Sequence, residues 1–213
     1  MGKLFFYSDQ VVESPGNRRL DDILLAGVNT NNIQVGYIPS TEDKDKTFFR
    51  TKVDYYRNYG IRDILFFDLY EEFNPLKIED LLKCDIIHLS AGNPIEFRKA
   101  LKHRNMEKVL VNYVNQDGII VGVSGGAVQL GKTINLFQMF IGDLNKNLEA
   151  LQLVDFDFLP HYNRWNDGYK KEVIDYARTT GTTVYAANDG DGIIVENDKI
   201  QMIGDIVVIS GHE

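Results

Sequence analysis

The sequence predicts an α/β fold in which a mostly parallel sheet carries helices on both faces and short β-hairpins close the C-terminus. Three observations carry that prediction. Five apolar runs alternate with segments of helical period, the pattern of βαβ units. The runs are mostly apolar without strict alternation, as strands buried on both faces are. Most of them stop at a small polar residue or a glycine, at the carboxyl ends of strands where such sheets form their sites.

Leu4-Phe5-Phe6-Tyr7 is the first strand, ended by Ser8-Asp9. Pro15-Gly16-Asn17 punctuates, and Leu20, Ile23, Leu24 and Val28 then recur at helical spacing. Residues 33–38 form a second strand closed by Pro39-Ser40, and 47–59 a helix stopped by Gly60. Residues 63–67 are a third strand and 78–82 a short helical piece. The fourth strand, 85–90, runs into Ala91-Gly92-Asn93-Pro94, and helices follow at 95–102 and 106–115. Asp117-Gly118 turns the chain into the fifth strand, 119–123. Residues 135–153 mix aromatics with Gly142-Asp143 and show no clear period, so no element is assigned there. Residues 156–160 lead into His161, 169–178 are helical, and 183–187, 192–196, 200–203 and 206–209 are short strands. Turns between these strands fall at Asp189-Gly190, Asn197-Asp198 and Gly204-Asp205.

With 213 residues the chain fits a single domain, 1–213, able to bury a core without disulfides or metals. A net charge of −8 argues against general nucleic-acid binding or docking on anionic membranes. The single cysteine, Cys84, excludes an intramolecular disulfide and any cysteine-spaced metal site. The N-terminus turns polar too early for a signal peptide, and no apolar run reaches the length of a membrane span. A cytoplasmic protein is the expectation, and the aromatic content admits a homodimer.

Gly122-Val123-Ser124-Gly125-Gly126 sits between the fifth strand and a helix-like segment. This is the G-x-S-x-G pattern of a nucleophile elbow, in which a serine caps a sharp strand-to-helix turn. A serine hydroxyl needs a general base to act as a nucleophile at neutral pH. Of the four histidines, His212 lies in the tail, His103 follows a helix among basic residues, and His88 sits inside a strand as a core histidine would. His161, in a polar and aromatic loop after the elbow, is the candidate base. An acid to orient it could be Asp189, between two strands, or Asp143, Asp155 or Asp157, which precede the histidine. The N–H groups of Gly125 and Gly92 are candidate oxyanion donors, with Asn93 the N-cap of the next helix.

Ser90-Ala91-Gly92-Asn93-Pro94, Gly122-Val123-Ser124-Gly125-Gly126-Ala127, Pro160-His161-Tyr162 and Asn188-Asp189-Gly190 occur in this order. Together they resemble the peptidase E (aspartyl dipeptidase) family of serine peptidases, which includes cyanophycinase and carries G-G-N-T, G-x-S-A-G-A, P-H-[FY] and [DP]-E-G. The resemblance implies a fold related to class I glutamine amidotransferases, with serine replacing their cysteine. It also implies a Ser124–His161 pair, oxyanion donors at Gly92 and Gly125, and an acid at Asp189, or at Asp143 in the segment after the elbow helix, from which other members draw theirs. A small peptide substrate is implied, with Asn93 and Arg164 beside it, and neither metal nor cofactor. This chain has Gly125 where the family has alanine, a change expected to be tolerated while loosening the elbow. Ala91, Pro94 and Asp189 replace glycine, threonine and glutamate. The arginine-bearing stretch that follows the histidine of aspartyl dipeptidases is not recognisable, although Arg164, Lys170 and Lys171 offer positive charge. Rival expectations are an esterase or amidase with the same machinery, and a non-catalytic small-molecule-binding relative. Cys84, before a strand rather than on an elbow, is expected to be a buried structural thiol.

Overall fold

The five apolar runs are strands in the computed structural model, which describes residues 2–143 and 148–211. They are β1 (Lys3–Tyr7), β2 (Gln34–Ile38), β3 (Asp63–Phe66), β4 (Ile86–Leu89) and β5 (Ile119–Val123). Five more follow: β6 (Asp157–Leu159), β7 (Val184–Ala187), β8 (Gly192–Glu196), β9 (Lys199–Ile203) and β10 (Ile206–Ile209). The larger sheet has the order β3-β2-β4-β5-β1-β8-β9, parallel from β3 to β1 and antiparallel beyond. A second sheet, β10-β7-β6, pairs β6 with β7 in parallel and β10 with β7 antiparallel.

The helices are α1 (Pro15–Leu24), α2 (Thr47–Arg57), α3 (Ile78–Lys83), α4 (Pro94–His103), α5 (Met106–Asn115), α6 (Gly125–Leu130), α7 (Asn135–Ile141) and α8 (Asp167–Thr180). Because β1, β4 and β5 expose neither face, each face needs an apolar cover. Leu20 and Leu24 of α1 with Tyr55 and Tyr56 of α2 cover one. Leu81, Phe97, Leu110 and Leu130, from α3 to α6, cover the other. Leu136 of α7 and Tyr169, Val173 and Ala177 of α8 pack on the smaller sheet.

Two features differ from the sequence expectation. The C-terminal strands form one hairpin, β8–β9, and not a series. The chain crosses between sheets at Asp189-Gly190, and again at Gly204-Asp205, where the Asp205 N–H donates to Asp191 Oδ2 at 3.0 Å. The unassigned stretch contains α7, and residues 156–160 contain β6. Helix α7 is apolar almost all round, and β6 has three residues, so neither carries a readable period.

The registers bring strand ends level. Tyr7 lies opposite Val123, and Leu89 opposite Gly122. Ser8, Ser124 and Ser90, the next residue in each strand, therefore meet along one carboxyl edge of the sheet.

Candidate active site

Ser124 turns directly from β5 into α6 with φ 51° and ψ −115°, a conformation that costs a non-glycine residue about 1–3 kcal/mol. The surrounding backbone holds it there. Its N–H donates to Tyr7 O at 2.9 Å, and its carbonyl accepts from Val128 N at 3.0 Å. The flanking glycines are steric requirements. A Cβ on Gly126 would lie 2.2 Å from Leu89 O, and one on Gly122 2.6 Å from Ala127 Cα. The first N–H groups of α6, starting at Gly125, lack intrahelical acceptors beside the serine.

Ser124 Oγ is 2.8 Å from His161 Nε2, and His161 Nδ1 is 2.7 Å from Asp189 Oδ1. Donation of Nδ1–H to the carboxylate leaves Nε2 as the acceptor for the serine hydroxyl. The shorter aspartate thus reaches the histidine, and it does so from the crossing between β7 and β8. Asp155 and Asp157 are engaged elsewhere. Asp143 follows α7, Asp155 pairs with Lys132 at 2.7 Å, and Asp157 is buried, accepting from Thr133 and Tyr176.

Side chains that the motifs did not single out hold this pair in place. Ser8 Oγ accepts the His161 N–H at 2.7 Å and donates to Ala187 O at 3.0 Å, tying the histidine loop to β1 and β7. Asp189 Oδ2 accepts from Arg164 Nε at 2.6 Å and Asn163 Nδ2 at 3.1 Å, and its N–H donates to Asn163 Oδ1 at 2.9 Å. Partial burial pushes the Asp189 pKa up, but hydrogen bonds from His161, Arg164 and Asn163 outweigh it and hold the carboxyl below its ordinary value. The strand-end position of Ser8 was the sequence signal for its role; Asn163 offered none.

The loop after β4 lies across the elbow. Ser40 Oγ donates to Ala91 O at 2.5 Å, Ser90 Oγ accepts from Ser40 N at 2.8 Å, and Gly92 has φ 146°. The Gly92 carbonyl occupies the space an alanine at 125 would need, since a Cβ there would lie 2.0 Å from Gly92 O. Gly125 is therefore matched to this loop, which corrects the expectation of a merely tolerated change. Gly125→Ala is expected to lower unfolding free energy by about 1–3 kcal/mol, read as a fall in the urea midpoint. An unchanged midpoint would mean that the loop moves aside freely.

A cavity of about 190 Å³ opens beside Ser124, with Gly92, Gly125 and His161 on its wall and α6, α7, β6 and α8 closing it. Neither residue expected beside the substrate lines it. Asn93 Oδ1 caps α4 by accepting from the N–H groups of Ile95 and Glu96. Arg164 lies behind the acid, bound to Asp189 and, at 3.0 Å, to Asp9 Oδ2. Asp9, His161 and Asp189 also bring possible metal-ligand atoms within 4.8 Å of one another. Here, however, both carboxylates already pair with the Arg164 guanidinium.

Beyond Gly92 a second cavity, of about 280 Å³, is lined by Ser40, Ser90 and Lys52 among others. Burial lowers the Lys52 pKa to about 8, although Asp9 and Asp21 pull it upward. A depressed lysine loses its proton in the folded state while the unfolded chain still holds one, so stability rises with pH between about 8 and the ordinary lysine value. Lys52→Met is expected to abolish that rise, worth up to about 3 kcal/mol, in urea denaturations from pH 8 to pH 10. Parallel stability curves for the two proteins would contradict it.

The other histidines and the cysteine stay out of the site. His88 is buried, with Nδ1 2.8 Å from the Tyr56 hydroxyl, and burial, aided by Lys52, drives its pKa well below the usual value. His103 ends α4, and His212 lies outside the described residues. Cys84 is a buried free thiol whose pKa burial pushes up to about 12. No described helix is long and apolar enough to cross a membrane.

Comparison with known proteins follows the same line. An uncharacterised peptidase of Listeria monocytogenes serovar 1/2a is 28% identical over 128 residues, 56% of this chain and 60% of that protein. One of Listeria innocua serovar 6a is 28% identical over 126 residues, 56% and 59% of the two chains. The chain thus spans about 60% of the length of these curated relatives. Among solved structures, a candidate peptidase E protein from Listeria monocytogenes EGD-e gives a TM-score of 0.74 at 22% identity, covering 96% of this chain and 100% of that one. A peptidase from an acI-B1 Actinobacterium gives 0.76 at 17% identity, covering 99% and 91%. At these identities the likeness shows the fold. The model of peptidase family S51 matches residues 4–203, from β1 to β9 and through Ser124, His161 and Asp189. The chain belongs to peptidase family S51.

Proposed function

We propose that this protein is a serine peptidase that hydrolyses small peptides by acyl transfer. The observation that carries the reading is the continuous relay from Ser124 Oγ through His161 to Asp189, at 2.8 and 2.7 Å, on an elbow that opens into a cavity. Ser124 Oγ attacks the scissile carbonyl while His161 Nε2 takes its proton. The Gly92 and Gly125 N–H groups hold the oxyanion, donors of this kind being in place before the charge develops. Collapse of the tetrahedral intermediate breaks the C–N bond, and the imidazolium gives its proton to the leaving amine. Water then attacks the acyl-enzyme with His161 again as base, releasing the acid and restoring Ser124. Asp189 stays ionised and holds the imidazole in the required tautomer.

A fluorophosphonate tests the reading directly. The wild type is expected to take up one phosphonyl group per chain, mapped by peptide mass spectrometry to Ser124, and to hydrolyse members of a dipeptide and tripeptide panel. Labelling elsewhere, or no turnover of any peptide, would reject it.

A further inference from the structure

We infer that the cavity beside Ser124 is a specificity pocket for an apolar side chain, so that the preferred substrates carry an aliphatic or aromatic residue next to the scissile bond. The inference rests on the peptidase reading and names its substrate class. Two properties of the wall support it.

The first is the chemistry of the surface. Val128 of α6, Leu136 and Phe137 of α7, Phe158 of β6 and the rings of Trp165 and Tyr169 form a large apolar part of the lining. No aspartate, glutamate, lysine or arginine lines the cavity among the described residues. At about 190 Å³ it is comparable to an apolar protein cavity of roughly 150 Å³ that takes up benzene. A branched aliphatic side chain or a single ring therefore has room.

The second is that the polar tips in the wall already have partners. The Tyr169 hydroxyl donates to Leu136 O at 2.6 Å, Trp165 Nε1 to Pro160 O at 2.8 Å, and Thr133 Oγ1 to Asp157 Oδ2 at 2.8 Å. The nearby cations are engaged as well, Arg164 by Asp189 and Asp9, and Lys132 by Asp155. A substrate carboxylate entering the apolar part of the pocket would lose its water and meet no cation, and the free N–H groups on the wall lie beside Ser124, where the oxyanion forms, which strongly disfavours an ionised group. An apolar side chain leaves no polar group unmet on either side.

Trp165 is the only tryptophan of the chain, so its emission reports on this wall directly. Ser124→Ala would be titrated with the matched pairs Leu-Ala and Asp-Ala, and Ala-Leu and Ala-Asp, while wild-type turnover of the same four peptides is measured. In at least one pair the leucine peptide is expected to shift the Trp165 emission saturably, with a Kd about tenfold or more below that of its aspartate partner. Phe137→Arg, in the same background, places a cation at a half-buried position of the wall and is expected to cancel that preference. Equal or tighter binding of the aspartate peptides, no saturable shift with either leucine peptide, or a preference untouched by Phe137→Arg would overturn the inference. Leucine-selective binding without wild-type turnover would keep the pocket and reject the peptidase. Turnover that favours aspartate would keep the peptidase and reject the pocket.

Discussion

Ser124→Ala is expected to lower kcat for peptide hydrolysis by about 10⁴–10⁶-fold and to abolish fluorophosphonate uptake. The hydroxyl lies 2.8 Å from His161 Nε2, the atom that takes its proton. Folding should be unaffected, because alanine keeps the Cβ and therefore the strain of φ 51°. Ser124→Gly separates the two effects. It removes the nucleophile equally, yet releases the backbone strain and is expected to stabilise the protein by about 1 kcal/mol. A denaturation midpoint above wild type with turnover gone would show that the elbow stores strain in order to present the hydroxyl. Residual activity of Ser124→Ala within tenfold of wild type would remove Ser124 from the mechanism.

Asp189→Asn is expected to cost about 10⁴-fold in kcat with little change in the fold, and the reason lies in the partners of the acid. Arg164 Nε and Asn163 Nδ2 both donate to Oδ2, so the new amide must turn its oxygen toward them. Its NH2 group then faces His161 Nδ1, which becomes an acceptor and moves the imidazole proton to Nε2. A proton on Nε2 points at Ser124 Oγ, and the base can no longer take the serine proton. Because His161 Nδ1 is held by Asp189, Asp143→Asn, beyond the end of α7, is expected to change kcat by only a few-fold. A loss below tenfold for Asp189→Asn, or a larger one for Asp143→Asn, would reassign the acid.

Much of the architecture was legible because its causes are local. Mostly apolar runs mark strands buried on both faces, and β1, β2, β3, β4 and β5 lie where those runs lie. The spacing of Gly122 and Gly126 around Ser124 marks a turn too tight for side chains, and the structure places backbone where each Cβ would fall. His161 emerged from four histidines by elimination, through its loop context.

The sequence by itself determined the sheet, the elbow and the candidate base, since each rests on residues close together in the chain. Only the tertiary structure decided which acid faces His161, because that depends on a crossing between two sheets. Asp189 leaves β7 of the smaller sheet on the way to β8 of the larger one, and His161 follows β6, the partner of β7. The role of Gly125 was decided in the same way, by a carbonyl of Gly92 that is distant in sequence. So was the apolar pocket, whose wall includes α7, a short helix with no polar face to reveal its period. Patterns along the chain record which residues are buried, but the pairing of distant segments is set by how the layers pack, and the acid and the pocket belong to that packing.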